Sequence, residues 1–278
     1  MTEHPARSTR TLIGFALLYV FLSGGCLLAP EDPEPSPGDV TVLFIGSSYF
    51  GAWDMIDHFR KLCDEGGQDV FIGSFVRSGL YLDDLAREPG VAAKISERDW
   101  DYVILQGVGT TTAYPETHHL LTSYGSYHPV YPALQTFKAM VNATGDSTRI
   151  IFQMPFAFED GMLWVGMDDD YFAMQQLCYD NTLAWAGALD LGVAPVGWAW
   201  REILLEEPGT HYLHASDWNH PSLRGAFLMA VVFHATVCNE SCAGYAYRAG
   251  MPSAEAAHLR ETGSVIVQGN RRLWNLRE

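Results

Sequence analysis

The chain has 278 residues, of which 48% are hydrophobic and 18% are charged, so it can bury a full core and has the composition of an ordinary globular protein. Its formal net charge of -16 repels phosphate backbones, which argues against a nucleic-acid partner. No interior stretch rich in proline, glycine and serine divides the sequence into two independently patterned halves. We therefore predict one folded domain over residues 40–278.

The N-terminal segment has the layout of a signal peptide. Arg7 and Arg10 precede an uncharged run at residues 12–22, which is followed by small residues and Cys26. The run is shorter than the roughly 20 apolar residues that a membrane-spanning helix needs. We predict that residues 1–26 are a signal peptide. Cys26 and the two glycines before it resemble the lipobox of bacterial lipoproteins, which implies lipidation of Cys26 and membrane attachment in the envelope; free secretion is the alternative.

Proline and cysteine usage fit a position outside the cytoplasm. Residues 27–39 contain four prolines and four acidic residues, and we predict an extended tether there. If Cys26 is lipidated, an even number of cysteines remains. An even number is compatible with disulfides in an oxidising compartment. The remaining cysteines are Cys63, Cys178, Cys238 and Cys242. The favoured pair is Cys238 with Cys242, although one helical turn between them would strain the bond. No C-x-x-C pair is present, so the sequence does not support a metal site built from all four cysteines.

Five short apolar runs are predicted to be strands, and helical stretches lie between most of them. The strands are predicted at residues 40–46, 69–75, 101–106, 149–154 and 193–196, and the clearest helices at residues 53–65, 133–141, 171–191 and 223–237. This alternation implies right-handed crossovers. We therefore predict an α/β fold, a three-layer α/β/α sandwich around a central, mainly parallel five-stranded sheet. Such sheets bind ligands at the carboxyl ends of their strands.

Residues 107–129 have no clear period and are rich in aromatic and histidine side chains. These are Tyr114, His118, His119, Tyr124, Tyr127 and His128. The segment is predicted to be a loop over the carboxyl edge of the sheet. Its aromatic side chains then either form one wall of a substrate cleft or pack the loop onto the domain.

Two motifs at opposite ends of the predicted domain indicate nucleophilic catalysis. Residues 42–49 read Val-Leu-Phe-Ile-Gly-Ser-Ser-Tyr, with Ser48 just after the first strand, and residues 216–226 contain Asp217 and His220 in an Asp-x-x-His-Pro pattern. They resemble the first and last blocks of the SGNH (GDSL-like) hydrolases. The resemblance implies a flavodoxin-like fold and a triad in which Asp217 orients His220 and His220 deprotonates Ser48.

The two oxyanion-hole blocks of that family match less closely. Gly79 resembles the glycine of the second block, which implies that its backbone N–H joins that of Ser48 in binding the oxyanion. The third block normally supplies an asparagine, but residues 103–111 contain none. A related subgroup has Leu-Gln at the end of this strand, which implies that Gln106 is the side-chain donor, with Thr110 as the alternative.

The resemblance implies hydrolysis of a carboxylic ester through an acyl-enzyme on Ser48, without metal or organic cofactor. Trp53 and Trp218 lie near the two motifs and suggest a cleft for sugar rings, so O-acetyl groups on glycans are the first substrate class to consider. A short-chain lipid or acyl esterase is one alternative. A surface-binding protein with weak catalysis is another, motivated by the missing asparagine.

Two patterns, one rich in histidine and one acidic, contain side chains that can bind metal ions. His211, His214, Asp217 and His220 recur every three residues. The residue before a proline is biased out of the helical region, so His220 is predicted to end a loop and the four do not share a helix face. The acidic run at residues 168–170 is predicted to be a solvated turn before a helix, whose N-terminus favours carboxylates.

Overall fold

The computed structural model describes residues 34–116, 127–145, 147–163, 169–206 and 212–277. Residues from Pro35 onward form one compact unit. The predicted signal peptide, Cys26 and most of the predicted tether lie outside the described residues and stay predictions. Among the described helices, none is both long and apolar enough to span a bilayer.

The five predicted strands are confirmed, and they form one fully parallel sheet. They are β1 (Val40–Gly46), β2 (Val70–Val76), β3 (Tyr102–Gln106), β4 (Arg149–Gln153) and β5 (Gly192–Ala194). Their order is β2-β1-β3-β4-β5, the flavodoxin-like order. The strand β5 ends one residue before Pro195, because proline has no N–H to continue the ladder.

Helices cover both faces of this sheet, as the three-layer prediction requires. They are α1 (Ser48–Gly51), α2 (Met55–Glu65), α3 (Leu82–Leu85), α4 (Pro89–Ser96), α5 (Gly109–Ala113), α6 (Val130–Asn142), α7 (Tyr171–Leu189), α8 (Val196–Glu206), α9 (Leu223–Val237) and α10 (Ser253–Gln268). The helix α9 packs against α2, α8 and α10, and α6 packs against α3, α4 and α7.

Strand β1 is the centre of the core. Its residues from Thr41 to Gly46 are buried, as a strand covered on both faces requires. The ring of Phe44 meets those of Phe50, Phe59 and Phe233 edge-on, an arrangement that aromatic quadrupoles favour. These contacts pack β1 tightly against α2 and α9. The turn that follows β1 is therefore held in place.

The strand order reverses at β1, which opens a crevice at the carboxyl ends of β1 and β3. Ser48 follows β1, Gly79 follows β2 and Thr110 follows β3. Asp217 and His220 lie in the connection between α8 and α9. The topology therefore directs segments that are far apart in sequence toward one edge of the sheet.

Two elements differ from the sequence prediction. The segment predicted as a loop at residues 107–129 begins with the short helix α5, and residues 117–126 lie outside the described part of the chain. Helix α10 was not predicted. It packs on α9 through buried Ala256, Leu259 and Val267, whose spacing is helical but whose apolar stripe is narrow.

The favoured disulfide between Cys238 and Cys242 is wrong in this structure, in which the described cysteines are free thiols. Cys242 Sγ contacts the hydroxyl of Ser264 at 3.6 Å. Cys238 Sγ instead lies 3.6 Å from Cys63 Sγ. Helix α9 ends just before Cys238, so Cys238 and Cys242 do not lie on one helix. Their thiols contact different partners.

Candidate active site

The turn that carries Ser48 is fixed from below by a buried amide. Gln106 is 2% exposed; its Oε1 accepts the Ser47 backbone N–H at 2.7 Å, and its Nε2 donates to Ser47 Oγ at 3.0 Å. Gly46 is required here, because a Cβ would lie 2.6 Å from Gln106 Oε1. The end of β3 therefore positions the residue that precedes Ser48.

A tight loop presents Asp217 and His220. Its base is closed by a bridge between His214 and Pro221, and inside it the Ala215 N–H donates to the carbonyl of His220 at 2.8 Å. The side chain of His214 also bonds the carbonyl of Ala157, through Nε2 at 2.9 Å. His214 is thus a buried support of the loop.

The structure brings Ser48, His220 and Asp217 together in one hydrogen-bonded chain. His220 Nε2 lies 2.7 Å from Ser48 Oγ, and His220 Nδ1 lies 2.7 Å from Asp217 Oδ2. With the Nδ1 proton directed at the carboxylate, Nε2 is free to accept the hydroxyl proton. The geometry is that of a nucleophile, a general base and an orienting carboxylate.

Hydrogen bonds keep the carboxyl group of Asp217 ionised. Burial raises its pKa, but the backbone and ring N–H groups of His220 and the backbone N–H of Asn219 outweigh burial, so the pKa lies below its usual value. The backbone bonds to Oδ1 measure 2.9 Å from His220 and 3.2 Å from Asn219. Asp217 thus remains a charged acceptor through the neutral range.

Two residues that the sequence reading missed, Tyr49 and Asn219, hold the imidazole in place. The Tyr49 hydroxyl donates to Asn219 Oδ1, and its ring meets that of His220 edge-on at 5.1 Å. Burial raises the pKa of Tyr49, which keeps the phenol protonated as a donor. Their adjacency to Ser48 and His220 was the only sequence signal for this contact.

A cavity of about 870 Å³ opens over the triad. It is lined by Ser47, Ser48, Tyr49, Gly79, Leu80, Tyr81, Val108, Thr110, Phe158, Asp160, Gly161, Leu163, Asp217, Trp218, Asn219 and His220. Trp218 is 63% exposed, and its carbonyl accepts the N–H of Glu159, which joins the loop that carries Asp217 and His220 to the opposite wall. The walls are mainly aromatic and aliphatic, with the polar groups gathered at the triad.

The predicted oxyanion-hole donors differ in whether they line the cavity. Gly79 and Thr110 both line the cavity, and Gly79 has φ +81°, a conformation that glycine adopts without strain. Gln106 is not among the lining residues, and its amide is already bonded to Ser47. In this arrangement Gln106 supports the turn that carries Ser48, and Thr110 is the polar side chain that the third block contributes to the cavity lining.

The described aromatics of the 107–129 segment do not line the cavity. The Tyr114 hydroxyl bonds Asp169, Tyr127 is half-exposed elsewhere, and His128 Nδ1 bonds Asp83 at 2.8 Å. His118, His119 and Tyr124 lie outside the described residues. For the described part of the segment, packing onto the domain replaces the cleft-wall hypothesis.

The structure also shows where the two tryptophans near the motifs and the acidic run before α7 lie. Trp53 is exposed but does not line the cavity, so of the two tryptophans only Trp218 contacts it. In the acidic run before α7, Asp170 caps the helix by accepting the Ala173 N–H at 2.9 Å. Asp168 and His211 lie outside the described residues.

Solved structures resemble this chain at low sequence identity. A DUF4886-family protein from Bacteroides uniformis has a TM-score of 0.68 at 14% identity, over 84% of this chain and 96% of that one. A protein classed provisionally as an SGNH hydrolase, from Slackia heliotrinireducens, has a TM-score of 0.55 at 19% identity, over 70% and 97%. A variant of an acetyl-xylooligosaccharide esterase from Geobacillus has a TM-score of 0.52 at 21% identity, over 70% and 93%.

No protein-family model and no curated protein sequence matches the chain. The likeness to the solved structures lies in the fold, with the same parallel sheet covered by helices. The chain has the α/β/α fold of the SGNH hydrolases.

Proposed function

We propose that the protein is a serine esterase that hydrolyses carboxylic esters through an acyl-enzyme on Ser48. The observation that carries the proposal is the continuous hydrogen-bonded chain from Asp217 through His220 to Ser48, with the serine lining an open cavity. A binding module with this fold has no chemical need for the three side chains in this order.

The geometry supports a two-step reaction. His220 Nε2 takes the proton from Ser48 Oγ as that oxygen attacks the ester carbonyl, and Asp217 stabilises the imidazolium that results. Collapse of the tetrahedral intermediate expels the alcohol, which receives the proton from His220. A water molecule then repeats the sequence on the acyl-enzyme and releases the acid.

We assign the oxyanion hole to the backbone N–H groups of Ser48 and Gly79 and the hydroxyl of Thr110. All three residues line the cavity beside the nucleophile. Thr110 takes the place of the asparagine that the third block of the family normally supplies, because it follows β3, the strand beside β1. A short polar side chain there reaches the same edge of the sheet.

Removing the Thr110 hydroxyl should lower kcat by about 100-fold, the lower end of the range for one oxyanion donor, with little change in KM. Thr110→Val keeps the shape and removes the donor, whereas Thr110→Ser keeps the donor and should retain most activity. Steady-state kinetics on p-nitrophenyl acetate measure both. Wild-type kcat in Thr110→Val would exclude Thr110 as an oxyanion donor.

For the substrate, we propose O-acetyl groups on glycans. Trp218 presents an exposed ring at the cavity beside His220, a platform on which a sugar ring can stack. A neighbour in fold is an acetyl-xylooligosaccharide esterase, so this architecture accommodates such a substrate. The alternative is a short-chain acyl or lipid esterase, favoured by exposed Leu163 on the cavity wall.

Labelling with a fluorophosphonate tests the proposed chemistry directly, because the reagent reacts far faster with an activated serine than with an ordinary one. We expect stoichiometric labelling of the wild type and none of Ser48→Ala. Ser96→Ala is the matched control, since Ser96 is exposed at the end of α4, and it should label like the wild type. Equal labelling of Ser48→Ala and wild type would refute Ser48 as the nucleophile, and no labelling of the folded wild type would favour the binding protein.

The same proteins decide the substrate class. We expect a higher kcat/KM on p-nitrophenyl acetate than on longer acyl esters, and release of acetate from acetylated xylan by wild type but not by Ser48→Ala. Preference for longer acyl chains, with no acetate released from the glycan, would favour the lipid or acyl esterase.

A further inference from the structure

Three side chains of types that bind soft metal cations lie together between α2 and α9. They lie outside the cavity over the triad. One ligand atom each from Cys63, His234 and Cys238 lies within 4.8 Å of the others. His234 and Cys238 are four residues apart, which places them on one face at the end of α9. Cys63 faces them because α2 packs against α9.

The imidazole of His234 meets the ring of Tyr245 edge-on at 5.5 Å but makes no hydrogen bond with the described residues. Its side chain is 0% exposed, and neither ring nitrogen makes a hydrogen bond. A neutral imidazole carries one donor and one acceptor, and burying both unpaired is costly. A bound metal ion would give one of these ring nitrogens a partner.

The spacing of the two thiols suits a tetrahedral ion. Their Sγ atoms are 3.6 Å apart. Two thiolates at about 2.3 Å from a tetrahedral zinc ion are separated by about 3.8 Å. Cys63 is buried and Cys238 is half-buried, so one side of the cluster is accessible to solvent.

We propose that Cys63, His234 and Cys238 bind one zinc ion, with water as the fourth ligand on the side of Cys238. Binding releases two thiol protons to solvent, and the two thiolates neutralise the dication, so no net charge is buried. The ion ties the ends of α2 and α9, whose opposite ends adjoin the Ser48 turn and the His220 loop. This structural site does not depend on the proposed esterase activity.

A disulfide between Cys63 and Cys238 is the competing chemistry for these residues. It would use two of the three side chains. The ring nitrogens of His234 would then have no hydrogen-bond donor and no strong acceptor as a partner. It differs from a zinc site in two measurable ways, since it holds no metal and removes two titratable thiols. The zinc site accounts for all three residues, and for this reason we favour it.

Metal analysis of the purified full chain tests the proposal. We expect one zinc ion per chain in the wild type and in Cys242→Ala, a control at a neighbouring thiol outside the cluster, and none in Cys63→Ala or Cys238→Ala. Cobalt in place of zinc should give thiolate-to-cobalt charge-transfer absorption that is lost in Cys238→Ala. Removing zinc with a chelator should lower the Tm by about 5 °C or more.

Two outcomes would overturn the site. The first is a folded wild type without zinc, in which denatured thiol titration shows either a disulfide, as two missing thiols, or all cysteines free. The second is full zinc content in Cys238→Ala. Because Cys238 is half-buried at a helix end, its alanine variant should fold, which circular dichroism checks.

Discussion

Alanine at Ser48 or at His220 is expected to lower kcat on p-nitrophenyl acetate by about 10⁴-fold or more, and the double variant should lose no more than the worse single variant. The two side chains act as one unit, because proton transfer to His220 has no use without the Ser48 hydroxyl. Their 2.7 Å contact is the structural basis of this expectation. Steady-state kinetics on the two single variants and the double variant measure it.

The interpretation requires that the variants stay folded. Ser48 Oγ bonds His220 at the surface of the cavity, so removing it should change the Tm little. Ser96→Ala again serves as the control, with wild-type kcat and Tm. Multiplicative losses in the double variant would mean that the two residues act in separate steps, which contradicts the proposed general-base role.

Asp217→Asn is expected to lower kcat by about 10³- to 10⁴-fold while KM changes little. The asparagine Oδ1 can still accept the backbone N–H groups of Asn219 and His220, so the loop should keep its shape. Its amide N–H group, however, would face His220 Nδ1 and favour the tautomer with the proton on Nε2, which cannot deprotonate Ser48. Kinetics and the Tm of Asp217→Asn, compared with Asp217→Ala, separate the two effects.

The alanine variant should lose the loop contacts as well, so its Tm should fall further than that of the asparagine variant. Since the pKa of Asp217 is lowered in the folded state, its contribution to stability is complete above its usual pKa of 3.8 and is lost as the pH falls through the lowered value. Equal kcat in Asp217→Asn and wild type would show that the carboxylate does not orient the imidazole.

The supporting residues could not be predicted because their partners are remote in sequence. Gln106 reads as an oxyanion donor from its place at the end of β3, yet its amide bonds Ser47, 59 residues away. Thr110 lines the cavity because the chain turns directly into α5 after that strand. Both outcomes depend on how β1 and β3 pair, which no local pattern encodes.

The contacts between cysteines also could not be predicted from local sequence patterns. Local spacing favoured Cys238 with Cys242, whereas packing of α2 on α9 places Cys238 beside Cys63, 175 residues away. His234 joins them by helical spacing, but only the tertiary contact with Cys63 makes the three a cluster. A motif search has nothing to detect when one ligand comes from so distant a helix.

The sequence alone determined the alternation of strands and helices, and with it the parallel sheet, because buried strands and amphipathic helices are written in local hydrophobic patterns. It also determined the Asp-x-x-His spacing, since two residues span the turn that lets Asp217 reach His220. Tertiary structure decided which side chains face the cavity, which ones support the Ser48 turn and which thiols meet. These depend on contacts between distant segments, and such contacts exist only once the sheet and its helices have packed.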